Sequence, residues 1–190
     1  LAGHSWGGGL ALLSAAADPA GVGRVVTFDA VGANSGWLDA LHARALSHLW
    51  ARGATEAYDA LDALDPIDLH RGDASQLAHY SRTMYPAWFH DQEMLLFSPP
   101  LTESATGATI AARLRREGYD WRERYKQVRR PVLLIHGEQD ALPIAEAERT
   151  SALIAGARVV AIPAAGHMPF FENPEPSFGA ALEFLDAPYP

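Results

Sequence analysis

Three residues of this 190-residue chain, Ser5, Asp140 and His167, have the types and the chain order needed for covalent catalysis. A serine hydroxyl is a weak nucleophile until a base within hydrogen-bond reach takes its proton, and the base needs a third group to hold it. Ser5 sits in Gly3-His4-Ser5-Trp6-Gly7, a G-x-S-x-G pattern. Small residues two places before and after the serine let neighbouring backbones close around a sharp, strained turn. Asp140 ends the run Val132-Leu133-Leu134-Ile135-His136-Gly137-Glu138-Gln139-Asp140, and His167 follows Arg158-Val159-Val160-Ala161-Ile162 by way of Pro163-Ala164-Ala165-Gly166. Serine, acid and histidine come in that order, which sets this arrangement apart from the other chain orders of serine catalysis.

Positioning these groups requires a turn between strand and helix for the serine, and strands that end beside it for the other two. Gly8 to Ala17 reads as a small-residue helix that stops at Asp18-Pro19, because the residue before a proline is driven out of helical geometry. Ser5 then lies at a helix N-terminus, where free N–H groups and the helix dipole favour developing negative charge. Val132 to His136 and Arg158 to Ile162 read as buried parallel strands, with Val25 to Asp29 as a third. The middle of the chain has no such runs. It is helical instead, and Leu38 to Arg52 carries Leu38, Leu41, Ala45, Leu46 and Leu49 on one face. The predicted fold class is α/β, a parallel sheet flanked by helices with an inserted helical cap. Residues 1–34 form the first part of the core, 35–126 the cap, and 127–190 the second part of the core with the acid and the histidine.

Composition narrows the function. A net charge of −8 and a pI near 5.4 argue against nucleic acid as a partner. No stretch approaches a membrane span, so a membrane partner is not expected, and the default location is cytoplasmic. The absence of cysteine excludes disulfides, thiol catalysis and cysteine-ligated zinc. No cofactor and no metal are expected, and the partner is a small-molecule or short-peptide substrate. The composition does not fix an oligomeric state.

The segments Gly3 to Gly8, Val132 to Asp140 and Ala164 to Glu175 together resemble the α/β-hydrolase superfamily, and Tyr80 to Phe89 is similar to the cap segment of its proline iminopeptidase-like branch. The resemblance implies Ser5 as nucleophile, Asp140 as acid, His167 as base and the Trp6 backbone N–H as one oxyanion donor. It implies a longer stretch ahead of the turn, holding the first strands and a loop that supplies a second oxyanion N–H. The chain is therefore expected to be N-terminally truncated, with an unpaired sheet edge, weak activity on its own and a tendency to self-associate. The branch often carries a cap glutamate for the substrate's ammonium group, and Tyr85 stands at that position here. The activity implied is that of a proline iminopeptidase-type aminopeptidase working through an acyl-enzyme. The alternatives are a carboxylic ester hydrolase for small apolar acyl groups and, in another class, a non-catalytic ligand-binding or degenerate fragment.

His4, Tyr85, Trp88, Phe89 and Phe170 are the expected pocket residues, with at least one of Phe170 and Phe171 walling the site. Trp37, Trp50 and Phe97 are further candidates, although cap aromatics more often pack among themselves. Asp29 is an alternative acid. His136, Glu138 and Asp140 have alternating spacing but no second histidine nearby, so His136 is read as a strand-end residue and Glu138 as turn surface. Asp59, Asp62, Asp65 and Asp68 are read as a solvated helix face, with an amine-binding patch as the functional alternative; Glu93 and Glu103 are lesser candidates of that kind. The arginine-rich stretch from Arg113 to Arg130 is diluted by Glu117, Asp120 and Glu123 and is read as cap surface, with binding of an acidic substrate as its functional alternative.

Overall fold

A computed structural model describes residues 1–64, 74–98 and 105–188 of the chain. Asp65, Asp68 and Glu103 lie outside them. Four strands, β1 (Ala2–His4), β2 (Val25–Phe28), β3 (Val132–Gly137) and β4 (Arg158–Ile162), form one all-parallel sheet in sequence order. The helices are α1 (Trp6–Ala17), α2 (Leu38–Ala51), α3 (Thr55–Asp62), α4 (Ala74–Met84), α5 (Ala105–Glu117), α6 (Arg122–Tyr125), α7 (Ala145–Ser151), α8 (Pro169–Glu172) and α9 (Pro174–Asp186).

The sheet has one strand more than the apolar runs predict. β1 is too short to register as a run, and its identity comes from β2, against which Ala2 pairs with Val26 and His4 with Phe28. β2 ends at Phe28 because Asp29 takes a positive φ of 45° and turns the chain out of the sheet.

β3 is buried along its whole length. Its alternate residues serve two cores, as the two-residue period of a strand dictates. Val132 and Leu134 pack with Leu12 and Ala15 of α1 and with Ala147 of α7, while Leu133 and Ile135 pack with Ala181 and Phe184 of α9.

Residues 35–117 are helical where described, with short 3₁₀ turns at Ser35–Trp37, Tyr85–Trp88 and Gln92–Leu96. Leu38, Leu41, Ala45 and Leu49 of α2 gather with Leu61, Tyr80 and Met84 into a third core. Ala141 and Leu142, the residues just after Asp140, belong to the same cluster. The helical layer therefore holds the acid turn by apolar packing as well as covering the sheet. Trp50 and Phe97 are largely exposed, at 73% and 75%, so neither lines a pocket.

Candidate active site

β1 delivers Ser5 into a conformation that few side-chain-bearing residues adopt, with φ 53° and ψ −120°. The backbone around it is tied down, since Ser5 N donates to the Phe28 carbonyl at 2.9 Å and the Ser5 carbonyl accepts from Gly8 N at 3.0 Å. Strain of this kind survives only where its surroundings over-determine it. The flanking glycines are not equivalent. A Cβ on Gly3 would stand 2.2 Å from the Gly7 carbonyl oxygen, whereas a Cβ on Gly7 would meet nothing within 4 Å. Gly3 is therefore the residue that lets the backbones approach. The Trp6 N–H, at the first position of α1, has no hydrogen-bond partner among the described residues and is available as a donor.

Ser5, Trp6 and His167 line one cavity of about 230 Å³. His4, Tyr85 and Trp88 line it too, along with Trp37. Phe89 and Phe170 do not. Phe89 is fully buried and packs edge-on against Tyr85 and Phe171, at 5.2 and 6.4 Å between ring centroids. Phe170 is wedged edge-on against His4 and Phe28, at 5.2 and 5.6 Å, supporting the end of β1 from outside the cavity. Met168 lines the wall expected of Phe170 or Phe171.

His167 Nδ1 donates to Asp140 Oδ2 at 2.7 Å, while Asp140 Oδ1 accepts from Leu142 N at 2.9 Å. The imidazole is held on three further sides. Its backbone N–H donates to the Trp88 carbonyl at 2.7 Å, the Trp88 ring lies 4.2 Å from it centre to centre, and its carbonyl accepts from His4 Nε2 at 2.7 Å. A carbonyl can only accept, so the proton of His4 sits on Nε2. Burial draws the His4 pKa down to about 3, and burial lowers that of His167 as well. Both rings are neutral at neutral pH, the state a general base requires.

Asp29 lies beside Asp140 and is wholly buried. Its Oδ1 accepts from Gly137 N at 2.8 Å, and burial together with the Asp140 charge pushes its pKa well up. Two buried carboxyls this close cannot both ionise. Burial pushes Asp140 up as well, but the Asp29 hydrogen bond, the Leu142 N–H and the Arg44 charge pull it back, so the proton resides on Asp29, whose Oδ2 otherwise has no partner. Asp140 is accordingly the carboxylate bonded to the histidine.

Asp29, His136 and Asp140 come within 4.8 Å of one another, a grouping that the alternating His136-Glu138-Asp140 spacing does not foretell. The cluster is poorly suited to a metal. His136 Nε2 donates to the Leu142 carbonyl at 2.8 Å, and the Asp140 and Gly137 contacts occupy most of the remaining ligand atoms. Glu138 is exposed, as are Asp59, Asp62 and Glu93.

Residues 1–180 match the Alpha/beta hydrolase family. The chain belongs to that family. Over 57 residues it is 46% identical to a pimeloyl-[acyl-carrier protein] methyl ester esterase of Aromatoleum aromaticum, a stretch covering 30% of this chain and 23% of that protein. The alpha/beta hydrolase MGS-M2 from a Medee basin deep-sea metagenome library superposes with a TM-score of 0.64 at 23% identity, over 98% of this chain and 64% of that one. A hydrolase from Pseudomonas aeruginosa PA01 gives 0.58 at 26%, over 98% and 64%. The enol-lactonase from Burkholderia xenovorans LB400 gives 0.64 at 19%, over 97% and 64%, a likeness of fold. The chain thus spans 64% of the length of each of these three structures.

Three residues that motif reading passes over hold this alpha/beta hydrolase site together. Arg44 donates to the Ala141 and Asp140 carbonyls at 2.8 and 3.2 Å. Arg52, just past the C-terminal end of α2, reaches the Gln139 carbonyl at 2.9 Å and the Ala87 and Phe89 carbonyls on the other side. Glu172 accepts from the backbone N–H groups of His90, Asp91 and Gly166 at 2.6, 3.0 and 2.6 Å. The only sequence signal for the arginines is the Arg44-His48-Arg52 stripe at four-residue spacing on a helix that is otherwise apolar on one side.

Proposed function

We propose that this chain is a serine hydrolase of esterase type, in which Ser5 attacks an acyl carbonyl, His167 takes its proton and Asp140 holds the imidazole. The observation that carries the reading is the 2.7 Å bond between His167 and Asp140 beside a cavity that Ser5 also lines. In the first step the Ser5 Oγ–acyl bond forms as the alcohol leaves with the proton from His167. In the second, water gives a proton to His167 as its oxygen bonds the acyl carbon, and Ser5 Oγ leaves with that proton as the acid is released. The Trp6 N–H at the start of α1 is one oxyanion donor.

Ester chemistry is favoured over aminopeptidase chemistry by what lines the cavity. Among the described residues that line it there is no carboxylate to receive a protonated N-terminus, and Tyr85 is one of its walls. The local similarity to a methyl ester esterase points the same way. Intact-mass labelling with a fluorophosphonate tests the nucleophile, with label expected on the wild-type chain and none on Ser5→Ala. Equal labelling of both refutes Ser5 as the nucleophile, and labelling of neither leaves the non-catalytic binder. Short acyl esters compared with an N-terminal prolyl anilide then separate the two activities. Cleavage of the anilide alone would restore the proline iminopeptidase-like reading.

A further inference from the structure

Most of the cavity wall beside Ser5 is apolar or aromatic, with Leu41, Met84 and Leu142 among its members, yet Arg115 of α5 also lines it. With His4 and His167 kept neutral by burial, Arg115 is, among the described residues, the lining side chain that carries a formal charge at neutral pH. Its guanidinium carbon stands 5.6 Å from the centre of the Tyr80 ring, and the Tyr80 hydroxyl pairs with His42 Nδ1 at 3.3 Å. The cation is thus steadied by a ring that is itself anchored. Packing α5 onto α4 does not call for a charge on this wall, since an apolar side chain would fill the space without the desolvation that a buried cation incurs. A guanidinium has five N–H donors, enough to keep its contacts within the protein and still present a two-pronged face to a carboxylate.

We propose that Arg115 forms an anion subsite in this cavity, and that the substrate is a short-chain ester bearing a carboxylate at the end remote from the scissile bond. The inference rests on the reading of Ser5 as nucleophile. The ester carbonyl lies at Ser5 and the Trp6 N–H, the methylene chain runs along the apolar wall, and the terminal carboxylate meets Arg115. An ammonium group at that end is repelled.

The test compares monomethyl adipate with methyl hexanoate on the wild-type chain, Arg115→Gln and Arg115→Lys. A charge-assisted pair predicts a wild-type kcat/KM at least about tenfold higher for the carboxylate-bearing ester, whereas a cavity without a usable cation favours the neutral one. The ratio should collapse in Arg115→Gln and be partly retained in Arg115→Lys. A wild-type preference for methyl hexanoate, or a preference for monomethyl adipate that survives Arg115→Gln, overturns the proposal. Titration of adipate into Ser5→Ala reads the subsite without turnover, with saturable binding expected and its loss in the Ser5→Ala, Arg115→Gln double variant. Adipate binding with neither ester cleaved would sink the nucleophile and spare the subsite. Cleavage of methyl hexanoate with no adipate binding would do the reverse. If Arg115→Gln does not fold, the wild-type ranking and the Ser5→Ala titration still decide.

Discussion

Replacing Glu172 tests whether the histidine is positioned by the cap or by the sheet alone. One Glu172 oxygen accepts from His90 and Asp91, and the other accepts from Gly166, the residue before His167. The carboxylate therefore ties the segment that carries Trp88 to the loop that carries His167. Hydrogen bonds to a charged group contribute about 1.5–3 kcal/mol each, and the half-buried position lets water recover part of that when the group is removed. Glu172→Ala should lower stability by about 2–4 kcal/mol, a fall of about 4–16 °C in melting temperature for a chain of this size. Glu172→Gln should lose about half as much. Its amide oxygen can still serve His90 and Asp91, but its NH₂ then faces the Gly166 N–H, donor against donor. Because the Trp88 ring and carbonyl both contact His167, the released strap should cut kcat by tenfold or more on an ester substrate and leave KM nearly unchanged. Urea midpoints and steady-state kinetics on the two variants check this. Wild-type turnover in Glu172→Ala, or a Glu172→Gln variant worse than Glu172→Ala, would refute the reasoning.

Other substitutions probe the same contacts. Asp140→Asn should reduce kcat/KM by about 10³–10⁴-fold by upsetting the His167 tautomer, while Asp29→Asn should stay within about threefold, since an amide reproduces the donor of a protonated carboxyl. Equal losses in the two, measured at pH 7, would mean that the proton has been placed on the wrong carboxyl. Gly166→Ala would bring a Cβ within 2.2 Å of the Trp88 carbonyl oxygen and should cost about 1–3 kcal/mol together with a drop in kcat; a urea midpoint equal to wild type would count against the close approach. Acid should destabilise the fold. His136, lowered to about 4, and His167, also lowered by burial, take up protons in the unfolded chain below pH 6.5 before they do so in the folded one. Their contribution is complete above pH 6.5 and is lost as pH falls, on the order of 1 kcal/mol per pH unit for each ring. His4 and His48, lowered to about 3 and about 4, act the same way, while the proton shared by Asp29 and Asp140 and the raised Glu172 act in the opposite direction. The four rings outweigh them, so denaturation midpoints should fall from pH 7 to pH 5.5, and a midpoint that rises would overturn that balance. The acid limb of kcat/KM should likewise lie below pH 6.5, and a limb above that value would mean His167 is not desolvated as the structure has it.

The parts of the fold legible in the sequence are those written as apolar runs or periods. β3 is a continuous buried apolar stretch, α1 stops where Asp18-Pro19 says it should, and α2 buries Leu38, Leu41, Ala45 and Leu49 at helical spacing. β4 is a strand as expected but not a buried one, because it forms the sheet edge and only Ile162 of it is fully covered. β1 is implied by the strand-to-helix turn at Ser5 but not by any apolar run, because three residues carry no periodicity and its pairing is decided by β2. The contact between Asp140 and His167 follows from residue order, since each ends a strand-to-loop passage on neighbouring parallel strands. Phe89 and Phe170 were placed in the pocket by proximity in sequence to Trp88 and His167. Their rings instead pack edge-on behind those residues, and which way a ring turns in a loop has no local signature. Arg115 was hidden by its neighbours. Arg113 and Arg116 on the same helix are exposed, and the surrounding charges make the whole stretch read as solvated.

Arg44, Arg52 and Glu172 were the least legible residues and are the most connected. Each bonds backbone groups of segments far away in sequence, so no motif spacing announces them. Their contacts also change what the cap is. A cap that only covered a pocket would touch substrate and leave acid and base to the sheet. Here α2 grips the carbonyls from Gln139 to Ala141, the Trp88 segment holds His167 by ring and carbonyl, and Glu172 closes the loop between them. The acid turn and the histidine loop therefore share their hydrogen bonds with the cap. The alignment of Asp140 with His167 cannot vary independently of the cap's position over Ser5.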